Sequence, residues 1–179
     1  QTIQWPGMTS GDGSFKLYYA ASPSISASKG APVQGAQASI ALGTANQSLP
    51  GTLAQRFRFV GKGALLQLAA ADSARLGKLL TGQLVLVQEG SDGKVRDATT
   101  LQIAGALDDL YAGAADITDL GVRVGAPGAP VSFKLWAPTA QQVAVCSYAN
   151  GSAAASNIVP MQRDAATGSW SLQTSAAQD

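Results

Sequence analysis

Histidine is absent from all 179 residues, cysteine occurs once, and charged residues make up only 13% of the chain. Without imidazole the chain itself holds no Ser-His or Cys-His couple for nucleophilic catalysis and no histidine-ligated metal site. The lone Cys146 rules out an internal disulfide and any multi-cysteine zinc or iron–sulfur cage. Twelve basic residues against eleven acidic ones leave a net charge of +1, so the electrostatic footprint of a nucleic-acid binder is missing. No run approaches the ~18 consecutive apolar residues of a membrane span. The chain opens Gln1-Thr2-Ile3-Gln4-Trp5, with no initiator Met and no basic-then-apolar leader. That reads as a leader already removed, or as a cut from something larger. Plentiful Ser, Thr, Ala, Gly and Gln beside almost no cysteine favour an exported protein.

What the chain does have is alternation. Apolar residues reach 46%, but 33 of them are alanine, which leaves larger side chains for one or two thin cores. Ser14 to Tyr19 reads as a strand introduced by the turn-rich Thr9-Ser10-Gly11-Asp12-Gly13. Gln37 to Leu42 alternates, with Ala38, Ile40 and Leu42 on one face. Ala64 to Leu68 and Gln83 to Gln88 are short apolar runs suited to strands buried on both sides. The Asp92-Gly93 pair between Gln83–Gln88 and Val95–Ile103 signals a hairpin. Asp72-Ser73 is placed to cap a helix whose Leu76, Leu79 and Leu80 fall on one face, with Gly82 just past its end. Pro50 to Phe57 and Ala106 to Tyr111 are shorter helical candidates.

Ala112-Gly113-Ala114-Ala115 offers nothing to a core and reads as a linker. Beyond it short strands resume at Asp119–Val124, Val131–Trp136, Val143–Tyr148, Asn157–Met161 and Ser169–Leu172. Strands separated by turns every 8–12 residues mark an immunoglobulin-like sandwich. The expected class is therefore mainly β: two antiparallel sandwich modules with a few short helices, divided into residues 1–115 and 116–179. A complete sandwich needs about 7 strands in roughly 100 residues. The second module is therefore expected to be incomplete within this chain.

Candidate chemistry is sparse. Asp108-Asp109 is the only adjacent carboxylate pair, and neighbouring side chains point apart, so it reads as a solvated turn at a helix start rather than a shared-proton dyad. Glu89 and Asp92 flank the hairpin turn and read as surface residues. Trp5, Trp136 and Trp170 could be platforms for pyranose rings, but each also suits a core or a module interface. Gly61-Lys62-Gly63 lacks phosphate-loop spacing and reads as a turn. Asn46-Gln47-Ser48 and Asn150-Gly151-Ser152 match the glycosylation sequon, which matters only in a eukaryotic secretory route. Cys146, mid-strand, reads as a buried inert thiol. No residue is assigned as catalytic, cofactor-binding or metal-binding.

Phe133-Lys134-Leu135-Trp136-Ala137-Pro138-Thr139-Ala140-Gln141-Gln142-Val143 resembles the first strand of the family 48 carbohydrate-binding module of bacterial pullulanases and plant limit dextrinases. Pro160 to Ser171, with Asp164-Ala165-Ala166-Thr167-Gly168-Ser169-Trp170 at its centre, resembles the next landmark of that module. Upstream, Trp5-Pro6-Gly7 with Phe15-Lys16-Leu17-Tyr18-Tyr19 is similar to the start of the pullulanase N2 domain. Leu80 to Gln88, Asp97-Ala98-Thr99 and Gly105 to Tyr111 are similar to its later segments.

The resemblance implies an N2 β-domain followed by the start of a family 48 module, standing before the catalytic (β/α)8 barrel of a family 13 glycoside hydrolase. It implies debranching of α-1,6 linkages in pullulan, amylopectin and limit dextrins by two carboxyl groups about 5 Å apart. Those carboxyls, and the barrel's histidine motif, lie outside anything a histidine-free chain contains. The implied partners are the remainder of the enzyme, as a separate polypeptide or a deleted continuation, and an α-glucan substrate. The implied location is secreted, periplasmic or bacterial cell-surface. No cofactor is implied for this chain. A separate continuation would contact Val131 to Leu172 and pair with the Ser169–Thr174 strand; a short module closed within residue 179 is the alternative. The rival reading is a free-standing carbohydrate-binding or structural protein, and an exposed aromatic ledge would distinguish it.

Overall fold

A computed structural model describes residues 2–9, 11, 13–45 and 48–174. The sequon at Asn46-Gln47-Ser48, part of the turn at 9–13 and the chain's last five residues fall wholly or partly outside them. The chain forms two compact units, Gln1–Ile103 and Ala104–Asp179.

The first unit is one antiparallel sheet of six strands: β1 (Thr2–Pro6), β2 (Ser14–Ala20), β3 (Ala38–Thr44), β4 (Gly63–Gln67), β5 (Gln83–Glu89) and β6 (Val95–Thr100). Their order is β1-β4-β3-β2-β5-β6. Three strand spacings separate β1 from β2 in that order, about 14 Å in a flat sheet. Yet the Trp5 and Phe15 rings meet edge to face at 6.1 Å. The sheet must therefore curl until β1 faces β2, and the sandwich core lies inside that curl. Leu17 stands opposite Ile40 of β3 and Leu86 of β5, and all three are buried.

β5 is buried on both faces at Leu86 and Val87, as its unbroken apolar run predicts. β4 differs from expectation: Ala64 and Leu66 are buried while Gln67 is exposed, so only one of its faces meets the core. Gly63 begins β4 because a Cβ there would lie 1.8 Å from the Trp5 carbonyl oxygen, across the register from Pro6. The Asp92-Gly93 turn closes the β5–β6 hairpin, with Gly93 at φ +72° and its N–H donating to the Gly90 carbonyl.

The helix expected at Asp72 to Leu80 is two short pieces, α2 at Ala70–Ser73 and α3 at Leu76–Leu79 (α1 is Gly51–Arg56). Neither Asp72 nor Ser73 caps it; Asp72 lies inside α2, 3.5 Å from Arg75, and Ser73 donates back to Ala69. A turn over Ala74-Arg75, with Arg75 at φ −92° and ψ −5°, separates the two pieces. Leu76, Leu79 and Leu80 are nevertheless buried together. Gly82 is needed for close approach, since a Cβ there would sit 2.4 Å from the Ala20 carbonyl oxygen and 2.6 Å from the Tyr19 ring. Leu80→Ala is expected to cost about 2–5 kcal/mol in a denaturant titration. A change below about 0.5 kcal/mol would show that this face is not core.

The second unit opens with α4 (Ala104–Leu110) and a 3-10 turn over Ala112–Asp116, where the sequence reads as a linker. Four strands then make one antiparallel sheet: β7 (Gly121–Arg123), β8 (Ser132–Trp136), β11 (Gln162–Arg163) and β12 (Ser169–Gln173), in the order β11-β12-β8-β7. β9 (Ala144–Tyr148) and β10 (Ala155–Pro160) pair separately. The register puts Val122 opposite Phe133, Phe133 opposite Leu172, and Leu135 opposite Trp170, so these residues share a face. That face is covered at Trp170 but bare at Val122 and Leu135. Among the described residues only Tyr111, Met161 and Trp170 of this unit are buried large apolar side chains. β12 lies between β11 and β8. This corrects the expectation that the Ser169–Thr174 strand is the open edge; the outer strands of its sheet are β7 and β11.

Candidate functional site

The two family-resembling strings fold onto one another. Asp164 starts the β11–β12 turn: its carboxylate accepts the Ala166 N–H at 2.9 Å and the Thr167 hydroxyl at 2.7 Å. Those hydrogen bonds, the hydroxyl first, hold the Asp164 carboxyl below the usual range. Gly168 closes the turn at φ +70°, and a Cβ there would lie 2.6 Å from Pro138 Cβ. The Trp170 indole N–H donates to the Ala137 carbonyl at 3.0 Å, and the Trp136 indole N–H to the Thr167 carbonyl at 2.9 Å. Arg163 ties Tyr111 into the same corner, donating to its hydroxyl at 3.1 Å and to the Pro138 carbonyl at 3.0 Å. The indoles and the arginine therefore lock the Trp136–Thr139 loop to the hairpin. Both indole N–H groups are spent on backbone carbonyls, and Arg163 is spent on a carbonyl and the Tyr111 hydroxyl.

The tryptophans do not form a ledge. Trp5 packs on Phe15, Trp170 is 6% exposed, and Trp136 is 38% exposed. Trp136 pairs with Ser169, next to Trp170 in sequence, so the two indoles point to opposite faces of the sheet. The groove beside the β5–β6 hairpin, about 580 Å³, is lined by Lys29, Lys94, Arg96, Asp92 and Asp97 and contains no aromatic ring.

The carboxylates are scattered. Asp108 and Asp109 are exposed, in the last turn of α4 rather than at a helix start. Asp119 pairs with Lys134 at 2.9 Å, and that hydrogen bond lowers its carboxyl below the usual range. Asp92 is exposed as expected and accepts the Lys94 N–H at 3.1 Å. Glu89 is a correction: it is 3% exposed, not a surface residue. It belongs to the β5 face that carries Val85 and Val87, beside Lys16 and Tyr18 of β2. Its carboxylate accepts the Tyr18 hydroxyl and lies 2.7 Å from Lys16 Nζ. Burial first, then the hydrogen bond and charge of Glu89, push the Tyr18 phenol up to about 12. Because the folded protein favours the neutral phenol, this stabilisation is complete below pH ~10 and is lost as pH rises toward ~12.

Cys146 is exposed, contrary to expectation, because its face of the β9–β10 pair, with Ile158 opposite and Tyr148 beside it, is left uncovered by the described residues. Gly61-Lys62 is irregular chain leading into β4 rather than a turn, its carbonyls accepting Gln4 Nε2 at 2.9 Å and the Gly7 N–H at 2.8 Å. Asn150 accepts the Ser152 N–H at 3.0 Å in an exposed turn. Among the described residues no three His, Cys, Asp or Glu side chains group as a metal site.

The family model of the pullulanase N2 domain matches residues 1–109. The chain belongs to the pullulanase N2 domain family. Residues 119–179 match the model of carbohydrate-binding module 48, the isoamylase N-terminal domain. A pullulanase of Klebsiella pneumoniae is 34% identical over 172 residues, covering 96% of this chain and 15% of the relative. Chloroplastic pullulanase 1 of Arabidopsis thaliana is 30% identical over 91% of this chain and 16% of its own length. The crystal structure of apo pullulanase from Klebsiella pneumoniae aligns with a TM-score of 0.77 at 32% identity, over 96% of this chain and 18% of that one. PulA from Klebsiella oxytoca aligns at 0.76 and 34%, over 97% and 16%. The N2 unit and the module start thus correspond to a small N-terminal share of those enzymes, and the mainly β, antiparallel class agrees with them.

Proposed function

We propose that this chain is the non-catalytic N-terminal part of a pullulanase-type debranching enzyme of glycoside hydrolase family 13, which hydrolyses α-1,6-glucosidic linkages in pullulan, amylopectin and limit dextrins. The observation that carries the reading is agreement with the Klebsiella pullulanases along 96% of the chain, in sequence and in fold, while this chain spans only 15–18% of their length. Retaining hydrolysis needs two carboxyl groups about 5 Å apart across a bound sugar. The buried carboxylate here, Glu89, is committed to a lysine and a tyrosine. The acid pair therefore comes from the remainder of the enzyme, whether continuous with this chain or a separate polypeptide.

The bare face of Val122 and Leu135 supports a continuation that completes the second module. We divide the chain into an N2-like domain at 1–115 and a module start at 116–179; two separate family-model matches, at 1–109 and 119–179, support a two-domain reading, while the compact units divide earlier, between Ile103 and Ala104. The location that goes with this reading is secreted, periplasmic or bacterial cell-surface. The purified 179-residue chain is expected to release no reducing sugar from pullulan or maltodextrin above a blank. Measurable release would overturn the assignment.

A further inference from the structure

Among the described residues, the large apolar side chains that the first unit leaves exposed are Leu53, Phe57, Phe59 and Val60, all on α1 and the turn that follows. α1 itself has no buried residue. The same stretch carries Arg56, Arg58 and Lys62, and the sequence contains no acidic residue between Asp12 and Asp72. The Arg56 guanidinium lies 5.3 Å from the Phe57 ring centroid and that of Arg58 lies 4.8 Å from Phe59. The turn is held at its end by Gln4 and Gly7 of the β1 region, which leaves Phe59 projecting at 86% exposure.

We propose that this Arg-Phe-Arg-Phe turn docks on an anionic lipid surface. Alternating basic and aromatic side chains suit the headgroup boundary: the rings enter the acyl edge and the guanidiniums remain among the phosphates. Charge argues against a second copy, which would bring like charges face to face. A guanidinium already covers one face of each ring, which disfavours stacking on a sugar. A rigid protein pocket needs an anchor of fixed shape, and no side chain of α1 is anchored in the core.

Sedimentation of the 179-residue chain with vesicles tests the assignment. Equal parts of phosphatidylcholine and phosphatidylglycerol should carry the protein down at low salt, and phosphatidylcholine alone should not. High salt should release it. Phe59→Ser and Arg58→Ser should each weaken partition by about tenfold while leaving the thermal midpoint unchanged, because both lie outside the core. As a second measurement, Phe59→Trp should give an indole that brominated lipid quenches. Failure to sediment with anionic vesicles, equal sedimentation with neutral ones, or full binding by Phe59→Ser would each overturn the proposal. The first outcome would reassign the patch to an acidic protein surface.

Discussion

Replacing Glu89 by alanine is expected to destabilise the first unit by about 3 kcal/mol, measured by urea titration at neutral pH. The carboxylate is buried, its hydrogen-bond partner Tyr18 is partly buried, and Lys16 closes the pair from β2. Removing it strands a lysine and a phenol against each other without an acceptor between them. Lys16 keeps 35% of its side chain accessible, so it can turn to water, which puts the loss at the low end of the range for a broken buried pair. The same variant should bring the Tyr18 phenol down from about 12 part of the way toward 10, because the hydrogen bond and charge of Glu89 are lost while burial, the largest cause, remains. Alkaline spectrophotometric titration reads that shift, and the stability lost between pH ~10 and ~12 should shrink with it. An unchanged titration midpoint would mean that burial alone sets the value. Unchanged stability would mean that the ion pair is net neutral.

Trp170→Ala should be the most damaging single change in the second unit, at about 3–5 kcal/mol. Its ring is one of only three buried large apolar side chains described there, and its indole N–H holds Ala137 across the hairpin. A unit with so little core has no reserve to absorb such a loss, so amide exchange in β8 and β12 should approach that of an unfolded chain. Trp136→Ala, with the ring partly exposed and one hydrogen bond to a turn carbonyl, should cost about 1 kcal/mol. Equal losses from the two substitutions would contradict the division of labour between the indoles.

Local signals were enough to read some elements from the sequence. The alternation of Phe15, Leu17 and Tyr19 marks β2, and Asp92-Gly93 marks the hairpin, because a turn needs only the residues within it. β1 escapes such reading: Thr2 to Pro6 becomes a strand only by pairing with β4, some sixty residues away. The two-residue β11 is defined entirely by its partner β12. Glu89 looks like a hairpin flank, yet β5 runs one residue further than its apolar pattern, and the pleat then turns the carboxylate toward Lys16 and Tyr18. Cys146 misleads in the opposite direction, since an alternating strand reads as half-buried whether or not anything covers it. For the tryptophans the sequence leaves platform and core both open, and only the curl of the sheet and the hydrogen bonds to Ala137 and Thr167 decide between them.

The claim that these units are scaffold rather than glucan platform is tested most directly by native electrophoresis of the 179-residue chain in gels cast with and without pullulan. The account predicts the same relative mobility in both, because Trp5 and Trp170 are inside and Trp136 stands without a neighbouring exposed indole. Retardation by pullulan that disappears in Trp136→Ala would contradict it and establish a free-standing sugar-binding surface.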